Sequence, residues 1–145
     1  MVNLEHLDLS KNRLTELKRS ALHRLPRLRT VDLSHNQIRS FHSDSFKDTP
    51  QVEKLYLNHN QLNHVTDVSF IMDSLPKLSL LDLSDNEIRD IPFGALRGYP
   101  SLERLYLSNN QIGHISRDKS CVNPNSVRIM ISMTQLFLNT WSGAV

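Results

Sequence analysis

The sequence predicts an α/β solenoid. Each turn lays one short strand beside the last in a continuous parallel sheet, then returns through a short helical or 3₁₀ segment. Three observations carry that prediction. First, one spelling, LxxLxLxxNx(L/I), is written five times: LEHLDLSKNRL from Leu4, LRTVDLSHNQI from Leu28, VEKLYLNHNQL from Val52, LSLLDLSDNEI from Leu78 and LERLYLSNNQI from Leu102. These starts are 24, 24, 26 and 24 residues apart, and self-similarity at a fixed period of this size marks a solenoid. Second, the middle of each copy alternates apolar and polar residues, as a half-buried strand does. Third, Pro26, Pro50, Pro76 and Pro100 stand a few residues before the next copy, where a missing donor halts any helix before the strand begins.

The strand comes first in each unit. In the second copy Val31 and Leu33 turn to one side, and Thr30, Asp32 and Ser34 to the other. Parallel strands lie about 4.8 Å apart and need a crossover to return the chain, which the rest of each repeat supplies. The apolar residues then form inner columns: Leu7, Val31, Leu55, Leu81, Leu105 and, beside it, Leu9, Leu33, Leu57, Leu83, Leu107. Two more columns follow, Leu14, Ile38, Leu62, Ile88, Ile112 and Leu17, Phe41, Val65, Ile91, Ile115.

An asparagine closes each strand, at Asn12, Asn36, Asn60, Asn86 and Asn110. There the chain must turn and its backbone groups lose their ladder partners. An inward amide offers donors and an acceptor, whereas aspartate offers acceptors only. The five asparagines therefore read as structural.

The return half carries one further large apolar residue, at Leu22, Phe46, Phe70 and Leu96. The stretches 17–25 and 43–48 are expected to form short helical or 3₁₀ turns. The third unit has two extra residues near Ile71 to Ser74, expected as a bulge on the outer arc. The fifth unit loses phase after its strand. Residues 1–116 are thus five repeats, and 117–145 is a tail. Within the tail, MTQLFLNTW imitates the repeat, with Trp141 at the asparagine position. It reads either as a degenerate sixth unit covering the end of the ladder or as sequence unrelated to the solenoid.

The spelling and period resemble the leucine-rich repeat family in its typical, 24-residue form, over about three quarters of the chain. The resemblance implies a right-handed arc, with the sheet on its concave face and short helical turns on its convex face. It also suggests an extracellular or cell-surface origin, as in adhesion molecules, matrix proteoglycans and Toll-like receptors. Members of that kind close both ends with cysteine-rich caps. Here Cys121 stands alone, no N-x-S/T sequon is present, and Met1 leads almost directly into the first copy. The expectation is a fragment or truncated form of a larger receptor or adhesion protein, able to self-associate through bare ends.

Composition narrows the function. With 39% hydrophobic and 22% charged residues the chain is neither disordered nor collagen-like. A net charge of +2 is too small to argue for a nucleic-acid partner, and no apolar run is long enough for a membrane span. The glycines, Gly94, Gly98, Gly113 and Gly143, form no phosphate loop, and no nucleophile stands beside a base at a known spacing. The chain is expected to be no enzyme and to need no cofactor.

Function is expected on the outward strand positions, which topology joins into one surface. Tyr56, Leu80 and Tyr106 are large groups where small polar ones would serve, and tyrosine is enriched at binding hot spots. Lys54, Arg104, Asp32 and Asp82 surround them. His35, His59 and Asp85 follow one another in a neighbouring column; such a set could hold zinc or sense pH, but solvated histidines in a repeated S/N-H-N spelling explain it, and no metal is expected. The stretch Lys18, Arg19, His23, Arg24, Arg27, Arg29 could hold a sulfated glycan, though a solvated face explains it too. The reading is a non-catalytic module that binds a protein ligand through the concave face. A structural spacer, or a polyanion binder through the basic first repeat, is the alternative.

Overall fold

The computed structural model describes residues 3–42, 44–64, 75–91, 99–115 and 128–130. Alternating side chains and the fixed period place one strand per unit in a parallel sheet. The strands are β1 (His6–Asp8), β3 (Thr30–Asp32), β5 (Lys54–Tyr56), β6 (Leu80–Asp82), β8 (Arg104–Tyr106) and β10 (Arg128–Met130), in the order β1-β3-β5-β6-β8-β10. Register is set by column: Leu7 faces Val31, Val31 faces Leu55, Leu55 faces Leu81, and Leu81 faces Leu105. The ladder continues past each strand, with Leu33 N donating to Tyr56 O at 2.9 Å and Leu57 N to Asp82 O at 2.8 Å. The fold is a parallel-strand solenoid.

A second line of pairing, which the sequence did not announce, lies after the asparagine turns. β2 (Glu16–Leu17) pairs with β4 (Ser40–Phe41), and β7 (Asp90–Ile91) with β9 (His114–Ile115), again in parallel. These two-residue bridges turn Leu17, Phe41 and Ile91 into the core.

The core is a stack of leucine layers. Leu28, Val31, Leu33 and Ile38 of the second unit are fully buried, as are Val52, Leu55, Leu57 and Leu62 of the third. Their first-unit counterparts, Leu4, Leu7, Leu9 and Leu14, pack against this core but are only partly buried. A solenoid unit buries its apolar face only against its neighbours, and no described unit lies on their outer side.

The asparagines join the layers. Asn60 Nδ2 donates to Leu57 O of its own unit and to Leu33 O of the unit before, both at 3.0 Å, and its Oδ1 accepts from Ile38 N at 2.9 Å. Asn36, Asn86 and Asn110 repeat the pattern on Leu9, Leu57 and Leu83 carbonyls and on Leu14, Leu62 and Ile88 amides. The carbonyls of Leu9, Leu33, Leu57 and Leu83 thus each receive two asparagines. Asn12 is exposed and, among the described residues, bonds only to Leu9 O and Ser10 O of its own unit.

The residue before each asparagine turns the chain through the left-handed region. Lys11, His35, His59, Asp85 and Asn109 have φ of 55°, 53°, 54°, 53° and 55°. That conformation costs an ordinary residue about 1–2 kcal/mol, and His, Asp and Asn tolerate it better than most. It aims an amide at the next unit: His35 N donates to Asn58 O at 3.0 Å and His59 N to Ser84 O at 3.0 Å.

The expected helical or 3₁₀ turns on the return side are absent from the described residues, which hold turns instead. Ala21 N donates to Lys18 O and His23 N to Ser20 O, both at 3.1 Å. Between them Leu22 N reaches across to Ser45 O of the next unit at 3.4 Å. That amide, committed between units, breaks the run of i→i+3 bonds that a 3₁₀ segment needs. Leu22 and Phe46 are buried; Phe70, Leu96, the insertion at 71–74 and MTQLFLNTW lie outside the described residues. In the tail, β10 sets Ile129 opposite Leu105, a phase earlier in the chain than MTQLFLNTW would supply.

Candidate functional site

The outward strand positions form one surface because the strands align without slip. Along one row Thr30, Lys54, Leu80 and Arg104 stand opposite one another; along the next stand Asp32, Tyr56, Asp82 and Tyr106. Lys54 and Arg104 are exposed, and Asp32, Tyr56, Asp82 and Tyr106 are half-buried. Leu80 corrects the sequence expectation. It was expected as an exposed apolar group, but it is only 6% exposed and lies outside the main core cluster. Its two row neighbours are the long side chains of Lys54 and Arg104, so it lies in the floor of the face.

The aspartates have a structural task that the sequence expectation lacked. Asp32 Oδ1 accepts from Ser34 N at 2.9 Å, Asp8 Oδ1 from Ser10 N at 2.8 Å, and Asp82 Oδ1 from both Ser84 N at 3.0 Å and Ser84 Oγ at 2.6 Å. The bonds to Ser10 hold the Asp8 carboxyl below its ordinary value. The signal was present in the D-L-S spelling, since an aspartate bonding the amide two residues on is a turn signature. Each carboxylate keeps a second oxygen for other contacts.

His35 and His59 stack, with ring centroids 4.2 Å apart and planes 17° from parallel. His59 Nε2 lies 3.5 Å from Asp85 Oδ2, and Asn109 Nδ2 donates to Asp85 Oδ1 at 2.9 Å. The column is linked ring to ring and ring to carboxylate. Among the described residues no group of three or more His, Cys, Asp or Glu could hold a metal ion.

The basic stretch of the first unit is largely matched by acids. Arg19 meets Asp44 at 3.0 Å and His23 meets Asp48 at 2.7 Å, both in the next unit, while Lys18 lies 3.8 Å from Glu16. Arg29 sits between Glu5 at 3.9 Å and Glu53 at 2.6 Å. Such exposed pairs add little stability, but they leave a polyanion less charge to bind. The His23 hydrogen bond chiefly holds the Asp48 carboxyl below its ordinary 3.8. A folded-state value below the unfolded one stabilises the fold above that pH and is lost as pH falls through the lower value. Asp48→Asn should therefore remove a small stabilisation that is present at neutral pH, flatten the acid limb of the stability–pH curve below 3.8 and leave stability at the acid end nearly unchanged, as acid titration followed by circular dichroism would show.

Burial pushes the Tyr99 phenol well above its ordinary value. It belongs to the buried cluster and not to the sheet face.

The leucine-rich repeat family model matches residues 2–62 and 53–112, together most of the 145-residue chain. The chain belongs to the leucine-rich repeat family. A search of curated proteins found no match. Leucine-rich repeat domains are in general non-catalytic modules that interact with proteins. Among the described residues of this one, no helix is long and apolar enough to cross a membrane.

Proposed function

We propose that this leucine-rich repeat chain recognises a protein ligand through the concave face of its main sheet and carries out no chemistry of its own. One observation carries the reading. Tyr56 and Tyr106 are half-buried on that face, yet neither makes a side-chain hydrogen bond or ring contact with a described residue. Tyrosine brings large contact area and a polar tip at little entropic cost, which suits an interface. The mixed charges of Lys54, Arg104, Asp32 and Asp82 around it suit a protein more than a polyanion, and His35, His59 and Asp85 extend the face at one border. We also place the module in a larger receptor or adhesion protein at the cell surface, on the strength of the family's typical-form spelling.

The test is the double variant Tyr56→Ala/Tyr106→Ala, measured against a panel of extracellular proteins that bind the parent chain. Two hot-spot tyrosines together should weaken binding by at least tenfold, about 1.4 kcal/mol or more. The unfolding midpoint should shift little, because neither ring is in the core cluster. Equal affinity in the variant would leave the chain a spacer with no ligand on this face.

A further inference from the structure

We infer that Tyr56, Asp82 and Tyr106 form a cradle for an arginine side chain of the partner. The inference rests on the reading that this sheet face meets a protein. The three residues end β5, β6 and β8 and stand opposite one another in register. One rung of the sheet is about 4.8 Å, so a tyrosine flanks the carboxylate on each side and the two tyrosine backbones are about 10 Å apart. The carboxylate is already oriented, because Ser84 bonds its Oδ1 through both the amide and the hydroxyl. Its Oδ2 makes no hydrogen bond and no ion pair among the described residues.

The neighbours make the rung selective. Two residues before each tyrosine is a cation, Lys54 on β5 and Arg104 on β8. The equivalent residue on β6 is Leu80, nearly buried. Of these three rungs the one that carries the anion is therefore the one whose own strand supplies no counter-charge; Asp32, in the same row, has Tyr56 on one side but Asp8 on the other. A partner cation on Asp82 meets no competing cation in that strand, while Lys54 and Arg104 turn partner carboxylates to either side. A guanidinium fits this arrangement best. Its faces can lie against aromatic rings while its edge donates to a carboxylate. A lysine ammonium has no plane to share between two rings.

The experiment is a titration of the full chain with N-acetyl-arginine amide, followed by NMR of the tyrosine rings. N-acetyl-citrulline amide, equal in shape but uncharged, and N-acetyl-lysine amide serve as comparisons. The arginine probe should give saturable shifts at Tyr56 and Tyr106 and bind at least tenfold more tightly than citrulline. Asp82→Asn keeps an acceptor for Ser84 and should weaken the arginine probe at least tenfold without loss of fold. Equal response to citrulline, unchanged binding in Asp82→Asn, or lysine binding as tightly as arginine would overturn the assignment. If the arginine probe fails while the double tyrosine variant still loses its protein ligand, the cradle is wrong and recognition through this face stands. If the probe behaves as expected but the double variant keeps full affinity for its ligand, recognition through this face is the reading that fails.

Discussion

Asn60→Ala should lower the stability of the chain by about 2–4 kcal/mol, and Asn60→Asp should lower it further. Asn60 makes three donor bonds and accepts one. Its alanine variant leaves Ile38 N without its acceptor, and a buried donor left unmade costs about 1–3 kcal/mol. The carbonyls of Leu33 and Leu57 suffer less, because Asn36 and Asn86 also donate to them. Sharing spreads the loss into the neighbouring units and does not concentrate it on one bond.

Aspartate keeps the acceptor for Ile38 N but sets a second oxygen against the three carbonyls that the amide now serves. A buried charge facing carbonyl oxygens raises its own pKa. With the folded value raised above the unfolded one, the fold is least penalised at low pH, where the carboxyl is protonated and can donate. The Asn60→Asp variant should therefore gain stability relative to the parent as pH falls. Asn12→Ala supplies the control, since Asn12 is exposed and, among the described residues, bonds only within its own unit; its cost should stay below about 1 kcal/mol. Urea unfolding of the three variants at two pH values is the measurement. Equal costs at positions 12 and 60 would mean that the asparagines act singly and not as a ladder.

The same contrast explains how much was legible in the sequence. A solenoid brings residues one period apart into contact, so the columns could be written down from spacing alone. Val31 beside Leu55 and Asn36 beneath Asn60 needed no tertiary information. Three features escaped because they depend on something other than period. Alternation assigns a side chain to a face but not to a depth, so Leu80 was placed on the correct face and given the wrong exposure. The left-handed turns at Lys11, His35, His59, Asp85 and Asn109 carry no glycine, and glycine is the residue that usually reveals them. The return side follows where single amides go. Leu22 N crossing to Ser45 O decides between a 3₁₀ run and separate turns, and no pattern of apolar residues encodes that choice. The cross-unit pairs Arg19–Asp44 and His23–Asp48 were within reach, since each joins opposite charges about one period apart.

Among the described residues of the return side, Phe46→Ala should be the most damaging single substitution, at about 3–5 kcal/mol. Phe46 is fully buried and meets Phe41 with ring centroids 6.2 Å apart and planes 50° from parallel. Its carbonyl accepts from both Thr49 N at 3.1 Å and the buried Thr49 hydroxyl at 2.8 Å. With turns where a helix was expected, little regular backbone bonding holds this arc, and side-chain burial must fix its path. Removing the ring opens a cavity and loosens the turn that leads to Val52 and the next strand. Phe46→Leu should cost only about 1–2 kcal/mol, because most of the apolar volume is kept and Leu22 fills the equivalent place one unit earlier. Solenoid stability is a sum of unit and nearest-neighbour terms, so the alanine variant also tests how far the damage travels. Hydrogen exchange should show lost protection at Ser45, Lys47 and Thr49, whose amides hold this turn, and at Leu22, which donates into it. Asp85 and Glu87, two units away, should keep theirs if the units uncouple and lose it if the array opens as one.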